Sequence, residues 1–236
     1  MQNDPSNPTV SRATTYDVGL RTHFQNVYNT MAIGLAVTGT VAFLVSHSEP
    51  LMKLIFGTPL AFVFMLAPLA FMFFGFSPNA VRRKTAGQLS AMFYAFSAIF
   101  GVSMATIFLA YAGTDIARVF FITAGMFAAT SIYGYQTKRD LAGLGGLMIM
   151  GAFGILIAML VNIFLHSSML QFVISGVGVL VYTGLVAWDT QNIKESYSAS
   201  ISSGDNHKMA VMGALSLYMN FIMLFQFLLS LTSGRR

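Results

Sequence analysis

The stretch Val186–Leu229 reads VAWDTQNIKESYSASISSGDNHKMAVMGALSLYMNFIMLFQFLL. It contains the end of one apolar run at Asp189, a polar link over residues 190–208, and a second apolar run with Asn220 in its middle. A polar or ionisable residue inside a membrane helix is costly, and by default it marks a functional site. The stretch therefore predicts two membrane helices, with Asp189 and Asn220 as the first candidate functional residues.

The composition of the whole chain indicates which solvent surrounds it. The 236 residues are 56% hydrophobic and 9% charged, whereas soluble domains are about 25% charged. This number of charged residues is too small to cover the surface of a soluble fold. The sequence therefore predicts an integral membrane protein with the lipid bilayer as its partner. The net charge of +5 is spread over separate short loops, which fits contact with anionic headgroups and does not indicate a nucleic-acid partner.

The chain contains seven apolar runs, each of a length that can cross a bilayer as a helix. They cover residues 27–46, 54–76, 87–111, 116–135, 141–165, 169–188 and 209–231. The sequence thus predicts an all-α polytopic bundle of seven transmembrane helices over residues 23–232. A polar, mobile tail is expected at residues 1–22 and a short basic tail at 233–236. Pro59 and Pro68 allow a kink in the second run.

The basic residues of the loops predict the orientation. With a cytoplasmic N-terminus, nine of the 13 Lys and Arg residues lie on the inner side of the membrane, as the positive-inside rule requires. The terminal pair Arg235 and Arg236 falls on the outer side, which leaves open whether the seventh run crosses completely. The short tail and compact loops favour a bacterial inner membrane.

Several kinds of catalytic site are not expected. The chain has no cysteine, which excludes disulfides, thiolate metal sites and cysteine nucleophiles. The apolar runs offer neither the His ligands of an intramembrane zinc site nor a lysine for a retinal Schiff base. The histidines are expected to face water or headgroups, and they are His23, His47, His166 and His207. The sequence thus predicts a protein that is not an enzyme and needs no cofactor.

Asp189 has two interpretations. In the first, it is a carboxylate in water that marks the inner end of the sixth helix. In the second, it lies deeper and faces the bundle as an ion ligand or a proton-sensitive latch. Helical spacing places Gly178, Tyr182 and Leu185 on its face, so a groove of small and polar residues that includes Tyr182 could lead to it.

Asn220 lies within the seventh run, and Ser216 precedes it by one turn on the same helix face. An amide in hydrocarbon needs hydrogen-bond partners, so it serves either as a clip between helices or as part of a polar pathway. Arg82 and Arg83 are expected to mark the inner membrane surface. Either arginine could also reach Asp189 as a counter-ion, because both loops are predicted on the same side.

Four segments together resemble the Bax inhibitor family, whose members are transmembrane proteins with a Bax-inhibitor motif. The segments are Gly19–Gly39, Ile107–Gly145, VAWDTQNIKE at Val186–Glu195 and MGALSLYMNFIMLF at Met212–Phe225. The likeness covers nearly the whole chain beyond its first 18 residues, and the chain looks like a bacterial member.

The resemblance implies a seven-helix bundle with the last helix at its centre and a pH-sensitive calcium leak. In that family two aspartates, on the sixth and seventh helices, share protons and latch the pore near the cytosolic side, and a basic residue competes for the first. The first aspartate maps to Asp189, which would be a transient ligand of the transported calcium. The second position is occupied here by Asn220.

Two close carboxylates titrate as a coupled pair, whereas an amide does not titrate but can hydrogen-bond Asp189 in either charge state. We therefore expect the latch geometry to persist while the coupled proton switch is lost or moved. The first hypothesis is a passive calcium or cation leak. The alternatives are a non-conducting regulator of another membrane protein, such as a protease or stress-response component, and a proton-coupled transporter.

Overall fold

A computed structural model describes residues 8–198 and 202–233, and every regular element in these ranges is a helix. In chain order these are α1 Pro8–Ser46, α2 Glu49–Phe56, α3 Leu60–Gly75, α4 Pro78–Arg83, α5 Ala86–Met104, α6 Ile107–Ala110, α7 Gly113–Gln136, α8 Ala142–Leu165, α9 Ser168–Ser196 and α10 Ser203–Ser233. The predicted all-α, polytopic membrane fold is confirmed.

Six helical segments within the described residues are long and apolar enough to cross a membrane. They are Val18–Ser46, Ala86–Ala110, Gly113–Gln136, Ala142–Leu165, Ser168–Ser196 and Ser203–Thr232. They correspond to six of the seven predicted runs. In the last of them, on α10, 61% of the apolar 18-residue stretch is buried, whereas the buried share is 33% or less in each of the other five. The helix that carries Asn220 is therefore the one most enclosed by protein.

The remaining predicted run is broken. It is divided into α2 and α3, which are bent by 80° relative to each other. Pro59 occupies the position just before α3, where its missing N–H breaks no helical hydrogen bond. α3 has 16 residues and is about 24 Å long, shorter than the ~30 Å hydrocarbon core. The α2–α3 pair is therefore one broken span or a re-entrant loop, in place of a uniform helix.

The described chain divides into two compact units. Among the described residues, the first comprises residues 8–105, 193–198 and 202–215, and the second comprises residues 106–192 and 216–233. In the first unit, α1 and α5 pack through small residues. A side chain added at Gly34 would meet the ring of Phe93, and one added at Gly101 would meet the backbone of Thr38. In lipid no hydrophobic effect drives helices together, so close packing through small residues stabilises their association instead.

In the second unit, α9 packs against three helices through glycines. Gly134 of α7 lies against the backbone of Ala187, and Gly145 of α8 lies against the ring of Trp188. Gly178 of α9 lies against Phe227 of α10, whose ring would be 2.6 Å from an added Cβ. These contacts hold the α9 segment around Trp188 between α7 and α8.

One expectation at the N-terminal end is wrong, and it concerns His23. α1 begins at Pro8, so the tail expected at residues 1–22 is helical from residue 8 onward, and its mobility stays a prediction. His23 is only 4% exposed and does not face solvent. Its ring centroid lies 5.4 Å from that of Tyr197 in the same unit. His47 and His166 are exposed, as predicted. Residues 1–7 and residues 234–236 of the basic tail expected at 233–236 lie outside the described residues.

Candidate functional site

Asp189 lies inside α9, about two turns before the helix ends at Ser196. The helix continues through residues 190–196, so the connection to α10 is much shorter than the predicted link. Asp189 is 9% exposed and is enclosed by protein, although a polar stretch of sequence follows it. The interpretation of Asp189 as a carboxylate in water at a helix end is therefore wrong.

Two side chains of α10 donate hydrogen bonds to the same oxygen of Asp189. Nδ2 of Asn220 lies 2.6 Å from Oδ2 of Asp189, and the hydroxyl of Ser216 also donates to Oδ2. Because Ser216 and Asn220 are four residues apart, both lie on one face of α10. Asn220 is 6% exposed. The three residues form an interhelical cluster, which we call the Asp189 cluster.

The other carboxylate oxygen of Asp189 is less engaged. Oδ1 accepts no hydrogen bond among the described residues of this unit, and Asp189 forms no ion pair there. Hydrogen bonds to an ionised acceptor are worth about 1.5–3 kcal/mol each, so Ser216 and Asn220 stabilise the charge from one side. Oδ1 is the oxygen that a cation could approach.

The two residues after Asp189 fix the local backbone, and the sequence analysis did not assign them a role. The Thr190 hydroxyl lies 2.8 Å from that of Ser131 on α7. The side-chain amide of Gln191 donates to the carbonyl of Arg139 at 2.9 Å, and its oxygen accepts from the N–H of Leu141 at 2.8 Å. Gln191 therefore ties the α7–α8 connection to α9. The only sequence signal was their place in the WDTQ motif.

Tyr182 does not join the Asp189 cluster. Its ring packs against Phe227, with centroids 5.6 Å apart, and it borders an apolar cluster that includes Val181 and Leu185. Among the described residues, the Tyr182 hydroxyl forms no hydrogen bond with Asp189. The face of α9 that leads to Asp189 is thus more apolar than its sequence suggests.

Arg82 and Arg83 end the short helix α4 of the first unit, and both are exposed. Their role as counter-ions of Asp189, which belongs to the second unit, stays a prediction.

A second polar network lies at the opposite ends of α9 and α10. The amide of Asn162 on α8 donates to Gln171 at 3.2 Å, and Gln171 donates to the hydroxyl of Ser230 at 3.1 Å. Ser175, which is fully buried, donates to the same hydroxyl at 3.0 Å. Asn162 and Gln171 therefore join three helices through neutral groups.

The chemistry of the Asp189 cluster fits weak cation binding only. Within the described ranges no group of three or more His, Asp or Glu side chains is placed to hold a metal ion. Calcium takes six to eight oxygen ligands, whereas the cluster offers one carboxylate, one hydroxyl and one amide. Asp189 could contact a passing cation but does not form a resident metal site.

The match to a family profile extends over almost the whole chain. The profile described as "Inhibitor of apoptosis-promoting Bax1" matches residues 20–236. The chain belongs to the Bax inhibitor family. Residues of both units, including Asp189, Ser216 and Asn220, lie within the matched range, so the resemblance seen in the sequence is confirmed.

Bacterial relatives of this family member match along most of their lengths. The chain is 40% identical to an uncharacterized protein of Rickettsia prowazekii over 97% of this chain and 96% of the relative. It is 41% identical to an uncharacterized protein of Caulobacter vibrioides, over 93% and 91%. It is 37% identical to the inner membrane protein YbhL of Escherichia coli K12, over 92% and 94%. The name of the Escherichia coli relative agrees with the apolar helices in making this Bax inhibitor family member a membrane protein.

Proposed function

We propose that this Bax inhibitor family member is a passive cation leak, with calcium as its ion, whose gate is the Asp189 cluster. The observation that carries the proposal is the enclosed carboxylate held by Ser216 and Asn220 across two helices. Such an ionisable group inside a membrane bundle is expected to mark an ion or proton pathway. No cofactor is required, because passive flow needs only a pathway.

The closed state has a simple physical description. Ser216 and Asn220 donate to Asp189 and hold α9 against α10. A cation that reaches Oδ1 attracts the same charge and competes with the two donors. Opening then corresponds to loss of the Asn220 and Ser216 hydrogen bonds, compensated by contact between the cation and the carboxylate. Protonation of Asp189 removes the attraction for the cation, so flux depends on pH.

Asn220 changes the form of that pH dependence. A second carboxylate in its place would titrate together with Asp189, whereas an amide leaves one titrating carboxyl group. We therefore propose a gate with a single proton step. We also propose a cytoplasmic N-terminus in a bacterial inner membrane, with Arg82 or Arg83 as a competing partner of Asp189 on the cytosolic side.

The presence of Asn220 in place of a second aspartate also favours a second function. One carboxylate attracts a divalent cation less than two, and both donors to Asp189 come from α10, as in a static clip between helices. The alternative proposal is a non-conducting regulator that binds another membrane protein, such as a protease or stress-response component.

Calcium flux into liposomes that contain the purified protein tests both proposals, from about pH 6 to about pH 8. The variants Asp189→Asn and Asn220→Asp run beside the native chain. The control is Asn162→Asp, which adds a carboxylate to the network at the opposite end of the helices. A leak requires native flux that Asp189→Asn alters, and Asn220→Asp should raise the flux and add a second pH-dependent step. Background flux in all forms, with correctly folded protein, would exclude the leak and favour the regulator.

A further inference from the structure

One face of α3, from Val63 to its C-terminal end, carries an apolar groove of about 620 Å³. Ala67 and Ala70 leave space between larger neighbours, and Phe74 is 81% exposed. The groove is lined by Val63, Leu66, Ala67, Ala70, Phe71, Phe74 and Gly75. Since α3 is a membrane segment, its apolar exposed face adjoins lipid chains rather than water.

A basic cluster follows the groove directly in the same unit. It consists of Arg82, Arg83 and Lys84, of which both arginines are exposed. Among the residues that the structure describes, none of these three side chains has an ion-pair or hydrogen-bond partner. The cluster is therefore a concentration of uncompensated positive charge at the end of a membrane segment.

The start of α4 links the groove to the basic cluster along the chain. The hydroxyl of Ser77 donates to the carbonyl of Phe74 at 3.4 Å and accepts from the N–H of Ala80 at 3.4 Å. It thus connects the last turn of α3 to the first turn of α4. α4 has six residues and is about 9 Å long, so Arg82 and Arg83 lie within one short helix of the groove.

We propose that this groove and the basic cluster form a binding site for one acidic phospholipid. An acyl chain lies against Ala67 and Ala70, while the phosphate-containing headgroup binds the arginines. Basic clusters beside membrane segments bind anionic headgroups, and the planar guanidinium matches phosphate through paired N–H groups. The lipid site does not rest on the proposed cation leak, although its arginines are the ones proposed above as competing partners of Asp189.

Headgroup selectivity separates this site from ordinary contact with surrounding lipid. The full chain in detergent micelles is titrated with phosphatidylglycerol, and with phosphatidylcholine that has the same acyl chains. Native mass spectrometry then counts the retained lipids. We expect at least about tenfold stronger retention of phosphatidylglycerol, because each basic residue near an anionic surface contributes about a fivefold change in affinity.

Two kinds of variant test the two parts of the site. Arg82→Gln with Arg83→Gln should lower phosphatidylglycerol affinity by about 25-fold and leave phosphatidylcholine unchanged. Ala70→Trp fills the groove and should lower retention of both lipids. The controls are Lys138→Gln with Arg139→Gln, an equally exposed basic pair, and Phe153→Trp on the lipid-facing side of α8, where Phe153 is 64% exposed.

Equal retention of the two lipids by the native chain would overturn the proposal and leave non-selective surrounding lipid only. An equal loss in the Lys138 and Arg139 control would also overturn it, because the effect would then reflect total charge. Helix content and elution volume establish that each variant is folded. Should Ala70→Trp fail to fold, Phe74→Ser removes an exposed part of the groove and should weaken both lipids to the same extent.

Discussion

Removal of the two donors to Asp189 should reveal that they share one acceptor. Ser216→Ala and Asn220→Ala each delete one hydrogen bond to Oδ2. In either single variant the remaining residue still donates to the carboxylate. In the double variant Asp189, which is 9% exposed, keeps no donor from α10.

The expected cost follows from this arrangement. A hydrogen bond to a charged group contributes about 1.5–3 kcal/mol, so each single variant should lower the free energy of unfolding by about 1–2 kcal/mol, because the second donor compensates in part. The double variant leaves an enclosed charge without donors, and its desolvation is then uncompensated. Its cost should exceed the sum of the single costs by about 1 kcal/mol or more.

The measurement is reversible unfolding in mixed micelles at about pH 8, followed by circular dichroism and tryptophan fluorescence. The chain has one tryptophan, and Trp188 precedes Asp189 directly, so its emission reports on this part of α9. Ser230→Ala is the control, since Ser230 lies on α10 about 21 Å from Ser216 along the helix. Combined with Ser216→Ala it should add within about 0.5 kcal/mol. Purely additive costs for Ser216→Ala and Asn220→Ala would refute the shared-acceptor reasoning.

Two further predictions concern the surroundings of Asp189. Gly134→Ala should destabilise the protein by about 1–3 kcal/mol in the same unfolding assay, because the added Cβ meets the backbone of Ala187. The control Gly125→Ala should be neutral or stabilising, because its added Cβ meets nothing within 4 Å. Equal effects of the two substitutions would contradict the packing argument. Gln191→Leu removes the bonds to the α7–α8 connection and should speed trypsin cleavage after Arg139 several-fold, whereas an unchanged rate would show that the bonds do not hold this loop.

The sequence predicted the fold wherever hydropathy alone decides it. The runs that became α7 and α8 were placed within three residues of the observed ends. The failures occur where polar residues continue a helix. α9 extends to Ser196 because nothing in residues 189–196 breaks a helix, yet a hydropathy pattern ends at Trp188. For the 80° bend between α2 and α3, the sequence indicated only that its prolines allow a kink.

The hydrogen bond between Asn220 and Asp189 was expected from the family resemblance, whereas the donation from Ser216 to the same oxygen was not. Helical spacing placed Ser216 and Asn220 on one face, but only the packing of α9 on α10 brings that face to Asp189. Gln191 was missed because a glutamine next to a membrane surface is unremarkable in sequence. His23 was wrongly expected to face water, because its ring packs beside Tyr197, a residue far along the chain that a local pattern does not reveal.

The use of a carboxylate in this cluster supports a pathway more strongly than a clip. Two helices can be joined in lipid by neutral groups alone, as Gln171, Ser175 and Ser230 join α9 and α10 at their other end. An enclosed charge adds a desolvation cost that a hydrogen-bonded neutral group avoids, so it is weak evidence for a role in stability. In the proposed leak, the charge of Asp189 has a role because a proton or a cation reaches it. The network of Gln171, Ser175 and Ser230 can be compared directly with the Asp189 cluster, because it joins the same two helices without any group that titrates.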